Sequence, residues 1–163
     1  MDLLNINFKI AYNPGRDLTV DESMVGFKGR NYTVQYMPGK KTHRWGAKLW
    51  ILAEADTGYT LHIDLYAGKR NTTESYSGHG LGFDVVAKLS EHYLGRYHHI
   101  TVDNAFTSPA LAKYLFENET YMTGTVRETR KGMPKSFRQK VMKGDKLVRQ
   151  SGPVVALKYG DRK

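Results

Sequence analysis

Ile100-Thr101-Val102-Asp103-Asn104-Ala105-Phe106-Thr107-Ser108 places three β-favouring residues directly before an acid, then an Asn, then a Thr/Ser pair of the kind that starts helices. The stretch reads as a buried strand that ends in a carboxylate, with a helix leaving the same point. In α/β proteins a carboxylate at the carboxyl end of a strand is a usual place for chemistry. A second stretch of the same kind, Leu18-Thr19-Val20-Asp21-Glu22, lies upstream. Asp21 and Asp103 are therefore expected on adjacent strands, brought together by the fold.

Working outward, Arg16 to Asp21 alternates, with Leu18 and Val20 on one side and Thr19 and Asp21 on the other. Residues 1–14 carry little pattern beyond a loose alternation of Leu3, Leu4, Ile6 and Phe8, and residues 1–12 read as the end of a preceding segment. Gly26 and Gly29 interrupt regular structure, and Arg30 to Met37 is a second extended candidate. Residues 47–66 read as a hairpin about Asp56-Thr57-Gly58, and 67–80 as a Gly-, Ser- and Thr-rich surface loop. Apolar positions 81, 85, 86, 89, 93 and 94 have a helical period that Gly95 stops. Ser108-Pro109 opens another helix with an N-cap and a proline at its first position. Strands are expected at 121–126 and 153–159, separated by a basic, weakly patterned stretch at 127–149. Three antiparallel strands followed by helix, strand, helix, strand is similar to the order of the ribonuclease H-like fold, an α/β class with a mixed sheet. In that order the first and fourth strands lie side by side.

The chain has 163 residues, enough for one core. Apolar residues make up 40% and aromatics 12%, a globular balance. Lys and Arg number 25 against 16 Asp and Glu, a net charge of +9, with a pI near 9.6. That surplus suits a polyanion such as nucleic acid, or only a soluble basic surface. With no Cys there is no disulfide, thiolate zinc site or thiol nucleophile. No apolar run approaches membrane-span length, so no membrane partner is expected, and Met1-Asp2-Leu3-Leu4 does not read as a signal peptide.

Two carboxylates converging on rigid strands repel unless a cation lies between them. Mg²⁺ or Mn²⁺ suits such oxygen ligands, and a pair of these ions serves phosphoryl transfer. The plainer alternative makes Asp21 a strand-end acid and Asp103 an Asx-turn or helix-cap residue, and spacing alone favours it. The run Lys40-Lys41-Thr42-His43-Arg44-Trp45-Gly46-Ala47-Lys48 either grips phosphates while Trp45 packs or stacks, or forms a solvated hairpin entrance with Trp45 in the core. Arg127, Arg130 and Lys131, with the basic residues that follow them, form either a DNA-facing strip or a soluble face. The six His residues lack His-Glu-x-x-His spacing, and His98 and His99 should point to opposite faces of their strand.

Many short blocks, in order, resemble the piggyBac transposase family. They include Asp21-Glu22-Ser23-Met24, Phe27-Lys28-Gly29-Arg30, Tyr36-Met37-Pro38, Trp45-Gly46, Lys48-Leu49-Trp50 and Thr57-Gly58-Tyr59. Tyr66-Ala67-Gly68-Lys69, Val102-Asp103-Asn104, Phe106-Thr107-Ser108, Leu111-Ala112 and Gly124-Thr125-Val126-Arg127 continue the match, which runs from about residue 13 to the end. The resemblance implies a transposase catalytic domain over residues 13–163. It would use metal-binding Asp residues to cleave DNA at transposon ends, form hairpins and transfer strands into TTAA target DNA.

By motif position the resemblance makes Asp21 and Asp103 the first and second catalytic, Mg²⁺- or Mn²⁺-binding acids. It implies a third Asp on a helix beyond Lys163. Asp161 instead matches an acid in the strand region before that helix, so it is not assigned to the site. The family's Cys-rich zinc-binding domain has no counterpart here. Ala105 stands where the family usually has an aromatic residue, and Lys41 where it usually has Pro. The expectation is a partial domain with DNA as partner, nuclear by virtue of that substrate, a homodimer as the candidate assembly, and weak or no catalysis. The alternative is a domesticated, non-catalytic DNA-binding or protein-interaction module.

Overall fold

The computed structural model of the protein describes residues 1–39, 44–68 and 77–161. At its centre is β1 (Asp17–Gly26), where Leu18 and Val20 are buried and Asp21 is exposed. It pairs antiparallel with β3 (Trp45–Glu54) and parallel with β5 (His99–Val102). The outer edge of β3 is shared by β2 (Val34–Tyr36), which takes Trp45–Ala47, and β4 (Thr60–Tyr66), which takes Lys48–Ala53. On the other side β5 pairs parallel with β6 (Tyr121–Gly124), completing a six-stranded mixed sheet. The expected ribonuclease H-like order is present, with the strand before Asp103 beside the strand that carries Asp21.

Parallel neighbours need a crossover, and helices supply it. The helix α2 (Leu81–Ser90) joins β4 to β5, and α3 (Pro109–Glu117) joins β5 to β6. Both pack on one sheet face: Leu18, Val20, Leu52, Ile100 and Val102 form one cluster with Val86, Leu89, Leu111 and Leu115. The opposite face carries Thr19, Asp21, Ser23, Ile51, His99, Thr101 and Thr123. None of these is buried.

Five sequence expectations change in the structure. Residues 1–14 are not patternless chain: Asp2–Ala11 form the helix α1, which fully buries none of its residues. It is held to the edge of β4 by the Asn5 amide, whose Nδ2 donates to the Ile63 carbonyl (3.0 Å) and whose Oδ1 accepts from the Ile63 amide (2.9 Å). Second, β1 runs on to Gly26, so Asp21 lies mid-strand, because β3 continues to pair with it through Gly46. The extended candidate at 30–37 shrinks to β2. The fourth correction concerns 127–149, which contains β7 (Lys146–Ser151); it pairs with β8 (Val154–Tyr159) as a separate two-stranded ribbon. The helix expected over 81–94 ends at Ser90 and passes into a 3₁₀ turn at Glu91–Tyr93 before Gly95, whose φ of 73° ends the element.

Candidate active site

The register of β1 against β5 is constant: Asp17 faces His99, Leu18 faces Ile100, Thr19 faces Thr101 and Val20 faces Val102, each pair 82 positions apart. Asp21 and Asp103 have the same offset (103 − 21 = 82) and follow directly on that ladder. Side chains alternate along a strand, so Asp21 shares the open face with Thr19, while Asp103 is the residue directly after β5. Neighbouring strands lie about 4.8 Å apart, and each acid directly follows the last ladder pair, Val20 and Val102. Both are exposed.

Each carboxylate is half engaged. Asp21 Oδ1 accepts from the Glu22 amide at 2.7 Å, and Asp103 Oδ1 accepts from the Ala105 amide at 2.8 Å. Among the described residues Oδ2 of each has no donor, and neither acid has a Lys or Arg partner. The Asp103 contact is an Asx turn, so the plainer reading of that residue holds, and the turn fixes the orientation of the carboxylate. Behind it the Asp103 carbonyl accepts from the Phe106 amide (3.3 Å), the Thr107 amide (3.1 Å) and Thr107 Oγ1 (2.7 Å). Ser108 Oγ then caps α3 at the Leu111 amide, 3.2 Å away. Gly124 of β6 closes against this loop: a Cβ there would collide with Thr107 Oγ1 and stand 2.6 Å from the Val102 carbonyl.

Three of the basic residues singled out from the sequence lie in the segment that follows β6. Arg127 Nη2 donates to Asn104 Oδ1 at 3.4 Å. Arg130 Nη2 donates to the Asn104 carbonyl and, at 3.2 Å, to the Ala105 carbonyl. Arg130 thus braces the loop after Asp103, a role no local sequence signal announces. Lys131 is exposed beside it. Arg44 is exposed before β3, its carbonyl accepting from the Met37 amide at 2.8 Å. Lys40 and Lys41 lie outside the described residues.

The sequence reading also missed a polar chain across three strands. His99 Nδ1 lies 3.0 Å from Asp17 Oδ1 and its Nε2 lies 2.8 Å from Thr123 Oγ1. The findable signal was the 82-residue offset shared by Asp17 and His99 with the acid pair. His98 faces the other way and is buried, as expected for adjacent strand residues.

The sequence model of the family described as Transposase IS4 matches residues 1–163. The chain belongs to this piggyBac-type transposase family. Among solved structures it is similar to a piggyBac transposase in a cryo-EM synaptic complex with hairpin DNA, with 30% sequence identity and a TM-score of 0.87. The match covers 99% of this chain and 34% of that one, so the chain spans about a third of the length of that relative. The mixed sheet is that of a transposase domain.

Proposed function

We propose that the chain is the catalytic portion, residues 13–163, of a piggyBac-type DNA transposase. In it Asp21 and Asp103 are two ligands of a Mg²⁺ or Mn²⁺ site that acts on DNA. The observation that carries this reading is the placement of the two exposed acids, Asp21 in β1 and Asp103 directly after its parallel neighbour β5, each with one oxygen held by a backbone amide and, among the described residues, one without a donor. Such hard oxygen ligands fit a hard divalent cation. When bound, such ions supply activation of an attacking oxygen and charge stabilisation of the leaving one. The chain's own part is to hold both carboxylates rigid, Asp21 from the middle of a strand and Asp103 through its Asx turn and the Arg130 brace. Among the described residues no third acid or histidine gathers with them, so metal binding by this chain should be weak and strand cleavage slow or undetectable. The substrates are transposon ends and TTAA target DNA, the compartment is the nucleus, and a homodimer is the expected assembly, checked by sedimentation.

Paramagnetic broadening by Mn²⁺ in NMR spectra tests the site. Amides of residues 19–23 and 101–105 should broaden first, and Asp103→Ala or Asp21→Ala should remove the effect. Equal broadening in the variants would sink the assignment. The second reading, a non-catalytic DNA-binding or interaction module, is supported by the net charge of +9; it predicts salt-sensitive DNA binding indifferent to both acids.

A further inference from the structure

Four aromatic rings at one end of the sheet are exposed although aromatic side chains ordinarily bury their faces. Tyr32 is 74% exposed, Trp45 56%, Tyr36 50% and Phe27 47%. They gather where β1 leaves the sheet and β3 enters it. An open pocket of about 820 Å³, within the usual range for ligand clefts, is lined by Phe27, Tyr32 and Trp45 together with Lys28 and Arg30. Its shape is set by local bonds. The Phe27 amide donates to the Trp45 carbonyl (3.2 Å), and the Val34 amide to the Asn31 carbonyl (3.1 Å). Asn31 Oδ1 accepts from the Thr33 amide and hydroxyl, both at 2.9 Å. Gly29 packs on the Phe27 ring so closely that a Cβ would lie 2.6 Å from it. Tyr36 backs Trp45, ring centroids 4.8 Å apart. Among the described residues neither Lys28 nor Arg30 has a carboxylate partner, and no acid lines the pocket.

We propose that this pocket binds an unpaired nucleotide of the DNA, its base stacked on Trp45, Tyr32 or Phe27 and its phosphate met by Lys28 and Arg30. This rests on the DNA reading given above and deepens it. Duplex DNA hides base faces in its stack, so exposed rings gain from DNA only where a base is unpaired or extruded. Unpartnered cations beside the rings supply the sequence-independent phosphate term. An apolar peptide would leave both cations without counter-charge, and an acidic peptide would leave the rings without a stacking face. Phe27 is six residues beyond Asp21, about 20 Å along an extended strand, so the bound nucleotide is not the one at the acid pair.

The test compares a blunt duplex with a duplex carrying a single-stranded overhang of roughly eight thymidines, within the usual site size. The phosphate number is matched and binding is read by anisotropy with the 163-residue chain. The overhang should bind about tenfold tighter, the scale of one stacked base, and should quench Trp45 emission while Trp50, 5% exposed, stays unquenched. The Tyr32→Ala/Trp45→Ala double variant, with its fold checked by circular dichroism, should bind both DNAs equally and keep the blunt-duplex affinity. Trp45→Phe, which keeps a stacking face, should retain most of the preference. Should that variant fail to fold, Tyr32→Ala alone, which removes the most exposed ring, must still reduce the preference. Blunt-duplex binding without an overhang preference, a preference unchanged in the variants, or displacement by oligoglutamate but not by oligothymidine would overturn this inference alone. Absence of binding to either DNA would remove the parent reading and this inference with it.

Discussion

At the scale of single residues, Glu54 shows how a buried acid is kept charged. It is 5% exposed, yet its carboxylate accepts from the Gly15 amide (2.6 Å), Tyr12 Oη (2.6 Å) and Thr57 Oγ1 (2.5 Å). These donors, Thr57 foremost and then Tyr12, hold its pKa below the usual value, outweighing desolvation, while the bond to Glu54 raises that of Tyr12. Because the folded-state pKa is depressed, the stabilisation is present above the unfolded value of about 4.3 and is lost as pH falls through the folded one. Glu54→Gln should therefore be less stable than the parent at pH 7, with the difference narrowing below pH 4. Urea midpoints measured across that range check it, and a pH-independent difference would contradict the mechanism. The same residue-scale reasoning applies at Asp103, where the Asx turn uses Oδ1 and, among the described residues, leaves Oδ2 without a donor.

At the scale of elements, what the sequence announces is what the core buries. β5, α3 and the hairpin of β3 and β4 have clear periods because Ile100, Val102, Leu111, Leu115, Leu52 and Leu61 all point into one cluster. The acid pair was legible for the same reason: two apolar strands each lead to an Asp, and the apolar alternation sets which face that Asp takes. α1 was not legible, since it fully buries none of its residues and is tied down by Asn5 on Ile63 and Phe8 on Tyr59. β7 and β8 form a ribbon beside the sheet, and Val148, Val155 and Leu157 are exposed there, so β7 gave no burial rhythm to read. The braces from Arg127 and Arg130 join positions more than 20 apart, which no local pattern encodes. The Asn5 amide ties α1 to the edge of β4, beside the contact of Phe8 with Tyr59, and Asn5→Ala should test its share. Loss of two hydrogen bonds that leaves the Ile63 backbone to water should cost about 1–2 kcal/mol in urea unfolding. It should also speed hydrogen exchange at the Ile63 amide while leaving Ile100 and Val102 protected. An unchanged Ile63 exchange rate would show that α1 is held by other contacts, such as the stacking of Tyr12 on Tyr59 at 4.4 Å.

At the scale of the whole molecule, one sheet face is committed to the core and the other presents an acid pair on a chain of net charge +9. The two signs act in opposite directions on DNA. The general surplus attracts the duplex, and binding should fall with salt as phosphate counterions are released. The acid pair repels a phosphate brought against it unless a cation lies between. This yields a prediction that separates a catalytic site from a plain binding module. Without divalent metal, Asp21→Asn/Asp103→Asn should bind duplex DNA roughly two- to fivefold tighter than the parent, the scale of exposed charge pairs. Adding Mn²⁺ should close that gap by strengthening the parent while leaving the double variant almost unchanged. Mn²⁺ and Ca²⁺ should be compared at equal ionic strength, since general screening weakens both proteins alike. If parent and variant bind equally with and without metal, the acids do not face the DNA, and the basic surface alone accounts for the affinity. If the gap appears but Mn²⁺ does not close it, the acids face DNA without holding a cation, which is the result expected of a domain that keeps the transposase surface but not its chemistry.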